Sequence, residues 1–239
     1  MNDLHLDQHI SQQFNQDLET IRSDMLKMGG VVEEQVSNAV RALVDADSEI
    51  AKIVLEVEDE INAREIEIDE ECTQVLARRQ PAATDLRLVL AVSKIILDLE
   101  RIGDESSKIA QFAIALTENG ESPRGYVEVR HIGNLVHQML CNSLDAFARF
   151  DVEKAISVVK EDKVVDQEYG TALRELMTFM MEDPRSITRV MRIVWVLRAL
   201  ERIGDHARNI SEQVIYLVKG KDVRHLSLEE LEIKLASGM

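Results

Sequence analysis

The sequence predicts an all-α fold: two tandem three-helix bundles related by internal duplication, with six long antiparallel helices in all. Three observations predict it. The hexamer Leu-Glu-Arg-Ile-Gly-Asp spans Leu99 to Asp104 and recurs from Leu200 to Asp205, 101 positions later in a chain of 239 residues. An identical string half a chain apart marks a duplicated unit. Only 3 Pro and 10 Gly punctuate the chain and aromatics make up 4%, which disfavours a fold of many short strands. Apolar residues also recur at steps of three and four over long stretches, the period of a helix with one buried face.

The first helix is read from the stripe Phe14, Leu18, Ile21, Met25, Met28, Val32, Val36, Ala39 and Leu43. Gly29-Gly30 lowers its propensity and is a candidate bend. Asp45 to Ser48 reads as a turn. A second helix is expected from about Asp47 to Arg79, with Ile50, Val54, Val57, Ile61, Ile68, Cys72 and Val75 inward. Gln80-Pro81 ends it, because a residue before Pro avoids the helical region. A third runs from about Thr84 to Thr117. Gly120, Pro123 and Gly125 make Thr117 to Gly125 the clearest linker. The pattern then restarts: a fourth helix over Val127 to Phe150, a fifth over Val152 to Met181 ended by Asp183-Pro184, and a sixth over Ser186 to Lys219. One short amphipathic segment, Leu226 to Leu235, lies in the tail. The first bundle is expected over residues 1–119, the linker over 120–125, and the second bundle with its tail over 126–239. Asp47 and Asp151 both open the second helix of their half, at an offset of 104.

The formal net charge of −16 makes a poor nucleic-acid binder, since phosphate contacts need an excess of Lys and Arg. It also disfavours an anionic membrane surface and is compatible with cations or a basic partner. Cys72 and Cys141 have no paired spacing and read as small core residues. The N-terminus lacks a basic start and an apolar run, so no signal peptide is expected. The longest strongly apolar stretch, Ile193 to Leu197, falls far short of the ~20 residues of a membrane span. A cytoplasmic protein is expected.

The repeat places chemistry as well as helices. Each hexamer carries an acid pair at i, i+4, and such residues share a helix face. These pairs are Glu100 with Asp104 and Glu201 with Asp205. At the offset of 104 the second helices align too, so that Glu58 with Asn62 matches Asp162 with Asp166. Glu58, Asn62, Glu65 and Asp69 form a polar row beside the apolar row of Val57, Ile61 and Ile68. Two neighbouring helices, each with such a pair, offer about four oxygen-bearing side chains to a divalent ion, as helical-bundle metal sites do. All-oxygen donors suit Mg²⁺, Mn²⁺ or Fe, whereas Zn²⁺ usually takes His or Cys. Asn62 breaks the acidic pattern, so the first site is expected to be weaker or differently built. The bland alternative is a solvated face stitched by arginines at i, i+3: Asp98 with Arg101, Arg198 with Glu201, and Asp205 with Arg208. Gly103 and Gly204, inside the paired helices, point to close approach of a neighbouring helix. Arg101 and Arg202 are candidates for orienting the carboxylates. His206 reads as a surface or interface residue rather than a ligand.

With these residues in place, the chain resembles the PhoU family of bacterial phosphate-signalling regulators. The resemblance rests on Asp85-Leu86-Arg87, Asp98 to Asp104, Ala199 to Asp205, Arg78 to Pro81, Leu144 to Arg149, and Glu161 to Tyr169. It extends from about residue 10 to about residue 225. The family's metal motif, E/D-x-x-x-D, matches at Glu100/Asp104, Asp162/Asp166 and Glu201/Asp205, and imperfectly at Glu58/Asn62. The resemblance implies a non-enzymatic, homodimeric protein of two three-helix bundles. It implies restraint of phosphate uptake and of the phosphate-starvation response when phosphate is plentiful. The implied partners are the sensor histidine kinase PhoR and PstB, the ATPase of the phosphate transporter.

Two competing readings are weighed against a metal-binding signalling adaptor. A carboxylate-bridged di-metal oxidase would normally show two Glu-x-x-His motifs on inward faces. This chain has one, Glu128 to His131, near the linker, where a capping or surface pair is favoured. A purely structural bundle would hold no ion. No glycine-rich phosphate loop follows a strand, and Gly29-Gly30 lacks the downstream Lys-Ser/Thr of a P-loop.

Overall fold

The computed structural model describes residues 12–118, 120, 127–224, 226, 229–231 and 233. Most of the expected linker and much of the Leu226 to Leu235 segment therefore lie outside the described residues. Six long helices are present: α1 (Gln12–Asp45), α2 (Ser48–Arg79), α3 (Ala83–Glu118), α4 (Val127–Arg149), α5 (Val152–Glu182) and α6 (Ile187–Lys219). No described residue lies in a β-strand. The helix ends fall within a few residues of the expected ones. A 3₁₀ turn, Pro184–Ser186, separates α5 from α6, a detail the helical period does not encode.

The two α-hairpin turns repeat one device. Ala46 and Phe150 take positive φ, 55° and 54°. Each is followed by the Asp read as the helix opener. The Asp47 amide donates to the Ala42 carbonyl at 2.9 Å and the Ala46 amide to Leu43 at 3.3 Å. Asp151 and Phe150 make the same pair of bonds to Ala146 and Phe147, at 2.9 and 3.3 Å. These bonds satisfy the last carbonyls of α1 and α4 in a Schellman arrangement. The Asp47 side chain then accepts from the amides of Glu49 and Ile50, and Asp151 from that of Lys154, which caps the next helix. Gln80 also takes a left-handed φ of 49°, so α2 ends by turning left-handed before Pro81 rather than by extending.

Within each half the three helices pack on one another: α1, α2 and α3, then α4, α5 and α6. The halves are joined by α3 against α6, the most extensive helix pairing in the molecule, and by α1 against α4. One layer therefore runs α2–α3–α6–α5, with α1 and α4 packed behind it. A single apolar core runs through both halves, from Met25 and Ile61 to Phe147 and Ile210. Packing on a shared core holds the repeats together.

The α1–α4 crossing shows the duplication in three dimensions. A Cβ on Gly29 would stand 2.8 Å from Leu144, and a Cβ on Gly133 would stand 2.8 Å from Val40. Gly29 and Gly133 are one equivalent pair at the offset of 104, and Val40 and Leu144 are another. The two contacts are thus the same contact, made twice across a pseudo-two-fold axis. α1 runs unbroken through Gly29 and Gly30; the first of these glycines admits a neighbouring side chain.

At the α3–α6 crossing, buried Asp98 accepts from His206 Nδ1 at 2.8 Å and from Asn209 Nδ2 at 3.1 Å. The expected Asp98–Arg101 pair gives way to this one, because Asp98 faces α6 and is only 8% exposed. His206 is an interface residue, as its position suggested. Replacing Asp98 by Asn keeps an acceptor but removes its charge, and should cost about 0.5–1.5 kcal/mol, read as a lower urea midpoint.

Candidate metal centre

Each half gathers its acidic residues in the groove between its second and third helices. In the first half Glu58, Asn62 and Glu65 come from α2, and Glu100 and Asp104 from α3. All five are partly buried. Burial holds the Glu100 carboxyl above its usual range, and Asp104, Glu65 and Glu58 push it the same way, against the opposing pull of Arg101. Glu65 is raised by burial and by Asp69, whose carboxylate accepts from Ser93 Oγ on α3 at 2.9 Å.

The second half uses Asp162 and Asp166 from α5 with Glu201 and Asp205 from α6. Asp162 is only 3% exposed. Burial raises its carboxyl, opposed by Arg208, and Asp166 and Asp205 raise it further. Glu201 is raised by burial, then by Asp205, with contributions from Asp166 and Asp162. Asp205 is raised by burial and then by Asp166. The four acids expected in this half therefore act on one another electrostatically, with Asp166 at the exposed edge. Mutual repulsion within a half-buried groove is the physical mark of a site short of positive charge.

The arginines are arranged differently from the expected i, i+3 stitching. Arg198 does reach Glu201, at 2.7 Å. Arg208, expected on Asp205, reaches across to Asp162 at 3.0 Å and along α6 to Glu212 at 3.0 Å. Arg202 is turned away from the acids of its own half and pairs with Glu105 of α3 at 2.8 Å. Asp162 is the deepest carboxylate of its cluster, and it receives the Arg208 guanidinium from across the groove.

Glu65 belongs to the polar row of α2 but falls outside the Glu58/Asn62 pair that aligns with Asp162/Asp166. Its equivalent at the offset of 104 is Tyr169, while that of Asn62 is Asp166. The first cluster thus carries its fourth acid three residues further along α2, and each half presents four carboxylates. The spacing of Glu58, Asn62 and Glu65 was the available signal. Gly103 admits α1 and α2 closely: a Cβ there would meet Gln35 Oε1 at 3.3 Å and Ile61 Cδ1 at 3.4 Å. At Gly204 the nearest atom would be 3.5 Å away, an ordinary contact, so only the first glycine marks a tight approach.

Among the described residues, no group of three or more His, Cys, Asp or Glu forms a ready-made metal site. The donors nonetheless fit a hard cation. They are oxygen atoms, and Glu201 Oε2 is buried without a hydrogen-bond partner, which is costly unless something positive meets it. Glu128 and His131 lie at the start of α4, away from both grooves. Cys72 is buried, and burial pushes its thiol up to about 12. Cys141 is only half-buried, contrary to its reading as a core residue, and stands 3.9 Å from His137.

Carboxyls held above their ordinary values bind protons more tightly in the folded chain. Their contribution to stability is complete below about pH 4 and is lost as pH rises through their raised values. Metal-free protein should therefore gain less from Glu201→Gln with Asp205→Asn at pH 4 than at pH 7. Thermal melts of both proteins across that range check this. Cation binding should weaken over the same interval as pH falls, because protons compete for the ligands.

Comparison with known proteins gives the family of the chain. The PhoU domain profile matches residues 25–113 and again residues 129–214. A Pseudomonas aeruginosa protein described as a phosphate-specific transport system accessory protein PhoU homolog is 64% identical over 227 residues, covering 95% of this chain and 94% of that protein. The Escherichia coli phosphate-specific transport system accessory protein PhoU is 46% identical over 236 residues, covering 99% of this chain and 98% of that one. The crystal structure of PhoU from Pseudomonas aeruginosa superposes with a TM-score of 0.85, covering 87% of this chain and 100% of that one. That of the phosphate transport system regulatory protein PhoU from Streptococcus pneumoniae, at 32% identity, gives 0.81, covering 88% and 99%.

Proposed function

The chain belongs to the PhoU family, and from that membership we propose that it restrains phosphate uptake and the phosphate-starvation response when phosphate is plentiful. In this reading it is a cytoplasmic, homodimeric adaptor between PstB, the ATPase of a phosphate-specific transporter, and the sensor histidine kinase PhoR. It contributes no catalysis of its own. The observation that carries the reading is near-full-length identity, 64% over 95% of the chain, to a phosphate-transport accessory protein. Among the described residues no helix is long and apolar enough to cross a membrane, which agrees with an accessory role beside a transporter.

Divalent cations, Mg²⁺, Mn²⁺ or Fe, belong to this reading. Glu58, Asn62, Glu65, Glu100 and Asp104 would hold one group of ions, and Asp162, Asp166, Glu201 and Asp205 the other. A bound ion supplies the positive charge that each acidic groove lacks. The protein's own part is to fix two helices per site: α2 against α3, and α5 against α6, with Arg208 holding Asp162 in place. Occupancy of such sites stabilises the folded chain.

The test is genetic. A strain deleted for its own accessory protein should take up phosphate in excess in rich medium. Expression of this chain should return uptake and a phosphate-starvation reporter to the restrained level. Uptake that stays unrestrained despite folded protein would refute the regulatory reading.

A further inference from the structure

Between the two acidic grooves lies a third groove of different character. It runs along the α3–α6 seam, with a volume of about 400 Å³. Its apolar surface comes from Phe112 and Trp195, and its rim from Lys108, Arg198 and Arg202. Trp195 is 54% exposed, although it is the chain's single tryptophan. The apolar track continues along α6 through Met191 and Ile187, 36% and 46% exposed, at helical spacing. An exposed aromatic and aliphatic strip of this kind marks a contact surface, and methionine and tryptophan are favoured in such places.

The charge around the strip is unlike that of the rest of the chain. The molecule carries −16 overall, yet three bases line this seam. Two acids pair with them: Glu105, 3% exposed, meets Lys108 at 3.0 Å and Arg202 at 2.8 Å, and Glu201 meets Arg198 at 2.7 Å, which leaves one base in excess. The side chains of Arg198 and Arg202 remain 48% and 44% exposed, and a guanidinium has donors to spare after one ion pair. The net charge of −16 repels an acidic partner overall, while the bases and the apolar strip of this seam together attract an amphipathic one. A groove between two antiparallel helices is straight and accepts a helix. A flat anionic bilayer would meet the acidic grooves on either side of the seam, while a single helix of ~10–12 Å diameter fits between them.

We infer that the α3–α6 groove is the docking site for an acidic amphipathic helix of a partner protein, with its apolar face on Trp195 and Phe112 and its carboxylates on Lys108, Arg198 and Arg202. This inference rests on the groove alone, so it stands or falls apart from the phosphate reading.

Trp195 makes the test direct, because all tryptophan emission comes from the groove. The probe is an acetylated synthetic peptide of about four turns, with Leu along one face and Glu elsewhere; its control has Lys in place of Glu. The full chain is expected to show a saturable blue shift of emission with the Glu peptide and none with the Lys peptide. Affinity should fall about tenfold or more on raising salt from 0.05 to 0.5 M. It should fall by a similar factor in Lys108→Gln with Gln111→Glu, two positions on the α3 wall of the groove, a variant whose circular dichroism should be unchanged. Absence of a saturable shift with the Glu peptide, an equal response to the Lys peptide, or an unaltered affinity in the folded variant would each overturn the inference. So would a shift produced only by phosphatidylglycerol vesicles, or only by self-association seen on sedimentation.

Discussion

Replacing Glu201 by Gln and Asp205 by Asn is expected to produce a protein that is more stable without metal and less stabilised by its addition. The first effect comes from like charges at i, i+4, which oppose a helix by about 0.2–0.5 kcal/mol per pair, and from further repulsion by Asp166 and Asp162. Both substitutions preserve shape, and the amide oxygen introduced by Glu201→Gln would still accept from Arg198. For a chain of this size each kcal/mol moves the melting temperature by roughly 2–4 °C. The second effect is larger. With Mn²⁺ at a hundred times its dissociation constant, a single site adds about 2.7 kcal/mol to wild-type stability. The variant should lose the part due to its second cluster. Thermal melts with and without Mn²⁺ measure both effects in one experiment. Wild-type protein that does not respond to the cation, or a variant that responds equally, would count against the assignment.

Alanine placed at three glycines should give three different results, because helix propensity and space act separately. At Gly30 a Cβ meets nothing within 4 Å, so Gly30→Ala should stabilise by about 1 kcal/mol from propensity alone. At Gly133 the new Cβ would lie 2.8 Å from Val40 Cγ1 and 3.5 Å from its Cβ. Val is stiff at χ1 inside a helix, so the backbones must part. Overpacking of this kind costs about 1–3 kcal/mol, enough to reverse the propensity gain. At Gly29 the obstacle is the far end of Leu144, which can rotate, so Gly29→Ala should fall between the other two. Urea midpoints of the three variants check the order. If Gly133→Ala is as stable as Gly30→Ala, the close α1–α4 crossing is wrong.

Much of the fold was legible because the same signals appear twice. The hexamers gave the period, the apolar stripes gave the helices, and the Asp47/Asp151 match gave the hairpins. What was not legible is how the halves meet. Asp98 and Glu105 look like ordinary members of a charged face, and only the packing of α3 on α6 sends them to His206 and Arg202. The left-handed turns at Ala46 and Phe150 carry no glycine to announce them. In the candidate centre, spacing named the acids that act on one another across each groove: Glu58, Glu100 and Asp104 in one half, and Asp162, Asp166, Glu201 and Asp205 in the other. It missed Glu65 because the alignment asked for an acid where Asn62 stands, while the groove receives side chains from two successive turns of α2. The rim of the third groove was hidden for another reason: Lys108, Arg198 and Arg202 come from two helices, about ninety residues apart in a strongly acidic chain.

The central claim is that matching acidic grooves of the two halves bind cations independently. The measurement that tests it most directly is metal content by mass spectrometry after equilibrium dialysis against Mn²⁺. It should be made on wild type, on Glu201→Gln with Asp205→Asn, on Glu100→Gln with Asp104→Asn, and on the protein carrying all four changes. Each pair of substitutions is predicted to remove the share of one half, and all four together to leave no bound metal in a protein that remains helical. The same metal-to-protein ratio in all four samples would contradict it.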